Sequence, residues 1–227
     1  MWRCAVVFLG VTTFPTVGAV DADSSRPGRF CNSRQTHVWG DYALITAMSG
    51  GRLAVKVYAA GELVPALECF GAVSNGTAQL GHDASYYHAG KSEGAPFFTT
   101  FPFGFTTAEL DAWVKYGNGQ KLWDELYAPF GIRAFHAGST GTQMLGWFRK
   151  EIRSLEDLKG LKMRAPGHQG RVLQKLGVTP VSLPGGEIFP ALQSGAIDAA
   201  EWIGPYNDLA LGFYQVCRYY YSPGYHE

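Results

Sequence analysis

The chain has 227 residues, enough for one large or two small domains, and its hydrophobic fraction of 46% excludes a disordered protein. Its 19 basic and 19 acidic residues give no net charge. A nucleic-acid-binding protein normally shows a basic excess, so composition argues against that class and predicts a partner recognised at a local site.

Residues 1–22 are predicted to be a secretory signal peptide. Arg3 supplies a positive start, the stretch from Cys4 to Val20 is largely apolar, and small residues near Ala19 or Ala22 suit cleavage. The signal predicts export to the periplasm. Of the four cysteines, Cys4 would leave with it, and the other three, at positions 31, 69 and 217, are too scattered for a zinc site or a disulfide framework, which predicts buried free thiols.

The next part of the chain predicts one βαβ unit. Residues 23–36 are polar without a strand pattern, and a short helix is expected over 41–48. A buried strand over 53–58, an amphipathic helix over 63–73 and a strand over 77–82 follow. The two strands of such a unit are expected to run parallel with a right-handed crossover.

A similar pattern returns about 80 residues later, a spacing too long for a repeat array. Strands are predicted over 161–164, 178–183 and 196–202, with helices over 168–176 and 186–194. Two such units predict an α/β fold of two lobes with a ligand cleft between them.

Between the two units, an amphipathic helical segment over 108–127 is broken near Gly117-Asn118-Gly119, and a strand over 131–135 is expected to cross between lobes. The predicted first lobe comprises residues 37–136 together with 203–227, and the second comprises 137–202. Crossing strands of this kind form hinges beside a ligand cleft.

Arg164 ends a predicted strand and precedes the turn Ala165-Pro166-Gly167. Ligands of open α/β sheets bind beyond the carboxyl ends of the strands, and a guanidinium there matches a carboxylate with two parallel hydrogen bonds. On spacing alone, a surface arginine near Lys159 and Lys162 is an equally good interpretation.

Glu201 and Trp202 end another predicted strand at the same edge, and Gln143 and Glu227 could add oxygen atoms. Oxygen ligands of this kind suit a hard cation such as Na⁺ or Ca²⁺. Each residue taken singly is also typical of an ordinary surface polar group.

Enzyme motifs are not found: the sequence has no GxSxG, no Walker A and no HExxH. Glu201 and Glu227 could still form the acid/base pair of a metal-assisted lyase or hydrolase. A sensory ligand-binding module is a third alternative, which would need a transmembrane or signalling segment.

The run Leu158-Lys159-Gly160-Leu161-Lys162-Met163-Arg164-Ala165-Pro166-Gly167 and the run from Pro184 to Ala199 resemble the solute-binding proteins of tripartite ATP-independent periplasmic (TRAP) transporters, DctP type. The segments from Glu201 to Asp208 and from Tyr219 to Glu227 resemble the subgroup that binds 2-oxo acids or lactate. The resemblance covers roughly residues 52–227.

The resemblance implies a two-lobed, type II periplasmic-binding-protein-like fold, a periplasmic binding protein that is not an enzyme, and delivery of a small monocarboxylate to membrane permease subunits. It implies that Arg164 grips the carboxylate and that a metal ion, Na⁺ or alternatively Ca²⁺, bridges protein and ligand. The substrate-binding positions are Arg164, Gln143, Tyr87, Trp202 and Asn207, and the metal ligands are Gln143, Glu201, the Trp202 carbonyl and Glu227. The family continues beyond the last residue with helices that include one used for homodimerisation, so a C-terminal part of the fold is expected to be missing.

Overall fold

The computed structural model describes residues 44–136 and 138–226, apart from the side chain of Val57, and the backbone of three earlier strands. In chain order the strands are β1 (Arg3–Cys4), β2 (Thr16–Asp21), β3 (Gly28–Cys31), β4 (Ala54–Tyr58), β5 (Leu80–His82), β6 (Ile132–Arg133), β7 (Gly146–Phe148), β8 (Lys162–Arg164), β9 (Thr179–Val181), β10 (Ala199–Ala200) and β11 (Tyr219–Tyr221). The α-helices are α1 (44–48), α2 (Cys69–Asn75), α3 (Thr107–Tyr116), α4 (Gly119–Tyr127), α5 (Gly167–Lys175), α6 (Gly185–Ser194) and α7 (Pro205–Leu211).

The first sheet has the strand order β3-β4-β2-β5. Strand β2 runs antiparallel to both β4 and β5, so these two are parallel to one another, as the βαβ pattern predicts. They are not direct neighbours, because β2 lies between them. Strand β2 falls inside the segment expected to be a signal peptide, and the signal stays a prediction.

Two details of the first sheet correct the sequence interpretation. Residues 23–36 contain the strand β3, which pairs in parallel with β4. Its four residues are too few to show a periodic pattern, and its neighbour in the sheet supplies its hydrogen bonds. The predicted helix over 63–73 instead begins as a 3-10 turn at Ala66–Glu68 and continues as α2. Pro65 explains the late start, because it offers no N–H and disfavours helical geometry in the residue before it.

Helices α3 and α4 meet at the predicted break and cover the core of this first region. Thr106 and Glu109 form a reciprocal capping box at the start of α3. The Trp123 ring on α4 is fully buried and stacks on Phe98 with the ring centres 5.0 Å apart. Phe70, Phe98, Trp123 and Tyr127 belong to one buried cluster, in which such aromatic contacts are favourable.

The second sheet has the strand order β11-β7-β10-β8-β9. Strands β10, β8 and β9 are parallel and match the predicted strands, with α5 and α6 as the connections between them. Strands β7 and β11 add antiparallel neighbours. The prediction that residues 203–227 return to the first lobe is therefore wrong for β11, because its hydrogen bonds are with β7.

Apolar clusters cover both faces of the second sheet. One cluster is centred on Ile188, Leu192 and Phe213, and the other on Met163 and Leu173. The side chains of Cys69 and Cys217 are buried, as predicted, and Cys69 Sγ donates to the His82 carbonyl. Within the described residues, every helix is too short or too polar to cross a membrane.

Candidate functional site

Arg164 lies at the carboxyl end of β8, with the parallel strands β10 and β9 on either side of it. Its side chain is among the most deeply buried in the protein, with 1% of its surface exposed. A buried guanidinium remains charged and must be matched by oxygen atoms. The structure therefore rules out the surface interpretation of Arg164 and places it at the sheet edge where ligands bind.

Four hydrogen bonds hold the guanidinium. Nε donates to the Leu183 carbonyl at 3.2 Å, and Nη1 donates to the backbone carbonyl of Glu201 at 3.0 Å and to its Oε2 at 2.9 Å. Nη2 donates to the Tyr87 hydroxyl at 2.8 Å. These four bonds use four of the five N–H groups of the guanidinium, and the Tyr86 hydroxyl is a further hydrogen-bond partner of Arg164.

Glu201 follows β10, and its backbone N–H donates to the Arg164 carbonyl at 3.0 Å, which fixes the two side chains beside each other. Its side chain is 2% exposed, and Oε1 is buried without a hydrogen-bond partner. Burial raises the pKa of Glu201 to about 8, because the loss of hydration outweighs the attraction of Arg164. The positive charge of Arg164 alone is therefore not enough to keep the Glu201 carboxyl ionised at neutral pH.

The ring of Trp202 packs against the guanidinium, with the Arg164 carbon 4.8 Å from the ring centre. A desolvated cation over an indole face is a favourable contact. Trp202 was predicted as a substrate-binding residue and, through its backbone carbonyl, as a metal ligand; the structure shows in addition that its ring packs on Arg164.

Gln143 pairs with His226 through the backbone, and its N–H donates to the His226 carbonyl at 2.7 Å. His226 Nε2 lies 3.9 Å from the unpartnered Oε1 of Glu201. Burial, together with the positive charge of Arg164, lowers the pKa of His226 to about 4, so the ring is neutral at pH 7. The pairing brings Gln143 to the same side of the cluster as Oε1 of Glu201.

Tyr87 comes from the other sheet, on a 3-10 segment, Ser85–His88, that follows β5. Burial raises the pKa of Tyr87 although Arg164 lowers it, so the hydroxyl is neutral at pH 7. The hydroxyl accepts the bond from Arg164 and keeps its own hydrogen for another acceptor. Tyr87 thus links the two sheets across the site.

The residues present fit a hard cation. The orphaned Oε1 of Glu201 is a buried carboxylate oxygen without a partner, and Gln143 turns its Nε2 to Thr140, which leaves the amide oxygen as its other polar atom. Hard cations prefer such oxygen ligands. In the described part of the chain, no three His, Cys, Asp or Glu side chains form a metal-binding group, and Glu201 is the one carboxylate of the predicted set that it includes.

Of the two remaining predicted residues, Asn207 lies apart from this cluster and Glu227 falls outside the described residues. Asn207 is half-buried on α7, and within the described residues it has no hydrogen bond to Arg164 or Glu201. Its neighbour Asp208 points inward instead and accepts from the Trp147 indole at 2.9 Å. Glu227 lies outside the described residues, so its role as a metal ligand stays a prediction.

The sequence interpretation missed two residues of the cluster. His226 faces Glu201, and the Tyr86 ring packs at a tilt against that of Tyr87, with the ring centres 4.4 Å apart. Both lie next to residues that had been singled out, namely Tyr87 and Glu227. Their position next to these residues in the sequence was the available signal. A sequence pattern does not encode the direction in which a side chain on an irregular segment points, so this signal was not enough.

A two-sheet α/β fold with a buried arginine between the sheets is the architecture of a two-lobed solute-binding protein. The family model for the bacterial extracellular solute-binding proteins, family 7 (DctP), matches residues 42–227. The chain belongs to this family.

Three similar proteins show which kind of solute-binding protein the chain resembles. The monocarboxylate 2-oxoacid-binding periplasmic protein of Nostoc sp. is 50% identical over 183 residues, which are 81% of this chain and 50% of that protein. A TRAP periplasmic solute-binding protein from Pseudoalteromonas atlantica, with bound sodium and pyruvate, is 41% identical, and the match covers 99% of this chain and 62% of that one with a TM-score of 0.80. A third, from Colwellia psychrerythraea with bound calcium and pyruvate, is 40% identical, and the match covers 100% and 63% with a TM-score of 0.81. The chain therefore spans half to about three fifths of the length of these relatives.

Proposed function

We propose that this protein captures a small monocarboxylate, a 2-oxo acid such as pyruvate or else lactate, as the periplasmic solute-binding component of a TRAP transporter. Delivery is to the membrane permease subunits, with a Na⁺ or Ca²⁺ ion bound beside the acid. The observation that carries the proposal is the buried Arg164, whose contacts come from both sheets. The relatives that bind pyruvate with sodium or calcium support the choice of ligand and ion.

Arg164 is the residue that would bind the ligand carboxylate. A carboxylate pairs best with two N–H groups of one guanidinium, and the N–H groups of Arg164 are engaged by Leu183, Glu201, Tyr87 and Tyr86. An incoming acid must therefore replace or share the contact with the Glu201 side chain or with Tyr87. The Tyr87 hydroxyl has a hydrogen to offer the same acid, so it suits sharing better than Glu201 does.

Charge balance explains why an ion is part of the proposal. When Glu201 is ionised, its carboxylate and an acid ligand together carry two negative charges, and Arg164 offsets one of them; because burial raises the pKa of Glu201 to about 8, a cation is needed to keep that carboxyl ionised at pH 7. Like charges within a buried site repel strongly. A bound Na⁺ or Ca²⁺ supplies the missing positive charge, and its ligands would be Gln143, Glu201, the Trp202 carbonyl and Glu227.

The alternative, a metal-assisted lyase or hydrolase, is not favoured, because the chain belongs to a family of solute-binding proteins. A proposed homodimer of the natural-length protein rests on the family resemblance, as does the role of Asn207 at the ligand. The membrane permease is proposed as the partner on the same basis.

A thermal-shift screen tests the proposal. The protein at its natural length is melted with pyruvate, lactate, acetate and succinate, each with Ca²⁺, with Na⁺ and with neither. Pyruvate or lactate with a cation should raise the melting temperature, since a ligand at 100 times its Kd adds about 2.7 kcal/mol of stability. Proton NMR of the recovered acid should show it unchanged; a consumed acid would support an enzyme, and the absence of any shift would refute the proposed function.

A further inference from the structure

A buried pair of polar residues lies behind the segment that carries Tyr87. His88 Nε2 and Asp83 Oδ2 are 3.0 Å apart, with 2% and 3% of their side chains exposed. Within the described residues neither atom has a hydrogen-bond partner, so this ion-pair contact is the polar contact that each of them makes. A buried carboxylate without its partner is costly, so this contact constrains the two ends of the six-residue stretch 83–88.

The surroundings of the pair are apolar. The His88 ring packs on Phe70 with the centres 4.5 Å apart. The pair borders a small cavity whose other walls are Cys69, Phe70, Val73, Gly81 and Ile132. Apolar side chains would pack equally well in this environment, so core packing does not explain why the pair is polar. A buried polar pair does fix one particular backbone geometry, and that requirement explains it better.

Further contacts hold the same stretch. The other oxygen of Asp83 accepts from the backbone N–H of Ala84 at 2.8 Å, and the buried Tyr127 hydroxyl donates to Ser85 at 2.8 Å. Asp83 therefore reaches both the start and the end of the Ser85–His88 turn. Tyr87 lies within that turn, and its hydroxyl is 2.8 Å from Nη2 of Arg164 on the other sheet.

We propose that Asp83 and His88, here called the Asp83–His88 clamp, are positioning residues that hold the Tyr87 hydroxyl in place for the ligand carboxylate at Arg164. They touch neither Arg164 nor Glu201 in the described contacts, and they act through Tyr87. The proposal rests on the proposed function for its ligand. It adds Asp83 and His88 as residues that affect the affinity for the acid without contacting it.

A double-mutant cycle in the natural-length protein tests the clamp, with pyruvate and Ca²⁺ as the probe in calorimetry. Tyr87→Phe should lower pyruvate affinity about tenfold, the value of one charge-assisted hydrogen bond. Asp83→Asn and His88→Gln should each lower it about fivefold when Tyr87 is present, and less than twofold in the Tyr87→Phe background. Equal losses in both backgrounds would overturn the proposal, because the pair would then act independently of Tyr87.

Val114→Ala is the matched control. Val114 is 3% exposed in a separate apolar cluster of the same region, so its truncation lowers stability without any route to Tyr87. Its pyruvate affinity should be unchanged. If Val114→Ala lowers affinity as much as the clamp variants do, general destabilisation explains the effect and the clamp is refuted.

A ligand-free measurement separates this proposal from the proposed function. In protein labelled at the tyrosine Cζ, the Tyr87 carbon signal is assigned by its loss in Tyr87→Phe. The clamp predicts that this signal moves in both Asp83→Asn and His88→Gln but not in Val114→Ala. An unmoved signal overturns the clamp even if pyruvate binds, and a moved signal supports it even if pyruvate fails to bind.

Discussion

The second sheet brings Arg164 and Glu201 to the site on the ends of neighbouring parallel strands, whereas the first sheet brings Tyr87 there on a short 3-10 turn beyond β5. The strands are fixed by ladder hydrogen bonds, as the bond from Glu201 N–H to the Arg164 carbonyl shows. The turn has no ladder, and side-chain contacts to Asp83, His88 and Tyr127 take its place. A charged group can therefore be placed by regular structure, while an irregular segment needs buried polar contacts of its own.

The largest expected effect is at the charged end of the second sheet. Arg164→Lys should lower pyruvate affinity by more than about tenfold, because lysine keeps the charge but loses the planar fork. Calorimetry on the natural-length protein measures it. Arg171→Lys is the control, since Arg171 is half-exposed and its ion pair with Glu93 is worth little. An unchanged affinity in Arg164→Lys would remove Arg164 from the ligand site.

The next largest effect is expected on the affinity of the site for a cation. Glu201→Gln keeps the size of the side chain but removes a negative oxygen, so affinity for Ca²⁺ should fall about tenfold. Titration of Ca²⁺ at saturating pyruvate measures this. Glu187→Gln, on the exposed face of α6, should leave the Ca²⁺ affinity unaltered. Equal Ca²⁺ affinities for Glu201→Gln and the unaltered protein would show that Glu201 is not a cation ligand.

Two glycines test how tightly the second sheet packs against its helices. A Cβ at Gly170 on α5 would collide with the backbone oxygen of Ala165, whereas a Cβ at Gly186 on α6 meets nothing within 4 Å. Gly170→Ala should therefore lower the free energy of unfolding by about 1–3 kcal/mol, and Gly186→Ala should raise it by up to about 1 kcal/mol. Chemical denaturation compares them, and equal effects would contradict the packing described for α5.

The smallest effect is expected from one hydrogen bond behind the Tyr87 turn. Tyr127→Phe removes the buried bond to Ser85 and should lower the free energy of unfolding by about 1 kcal/mol. Tyr116→Phe, at a side chain 88% exposed, should cost nothing measurable. If Tyr127→Phe is as stable as the unaltered protein, the turn does not depend on this contact.

The two sheets also differ in how well the sequence predicted them. The strands and helices around Met163, Leu173 and Leu192 follow from hydrophobic period and glycine stops, because each is a regular element packed on one core. Strand β3 was missed because four residues carry no measurable period, and the start of α2 because Pro65 overrides an apolar pattern. The pairing of β11 with β7 joins residues about 70 apart, and local patterns carry no information on such distant partners.

The residues of the site differ in the same way: those at the ends of regular strands could be predicted, and those on irregular segments could not. Arg164, Glu201 and Trp202 could be placed because the carboxyl ends of parallel strands meet at one edge. His226 and the Asp83–His88 clamp could not, since their roles depend on the path of irregular backbone between elements. Asp208, rather than its predicted neighbour Asn207, turns inward because Trp147 and the Ile203 N–H offer it hydrogen bonds.

Reciprocal calorimetry tests most directly whether the site binds an acid and a cation together. The natural-length protein is titrated with pyruvate at several Ca²⁺ concentrations, and with Ca²⁺ at several pyruvate concentrations. Thermodynamic linkage requires that each ligand raise the affinity of the protein for the other by the same factor. The charge balance around Arg164 and Glu201 predicts that this factor is about ten or more. Pyruvate binding with the same affinity at every Ca²⁺ and Na⁺ concentration, or no binding at all, would contradict it.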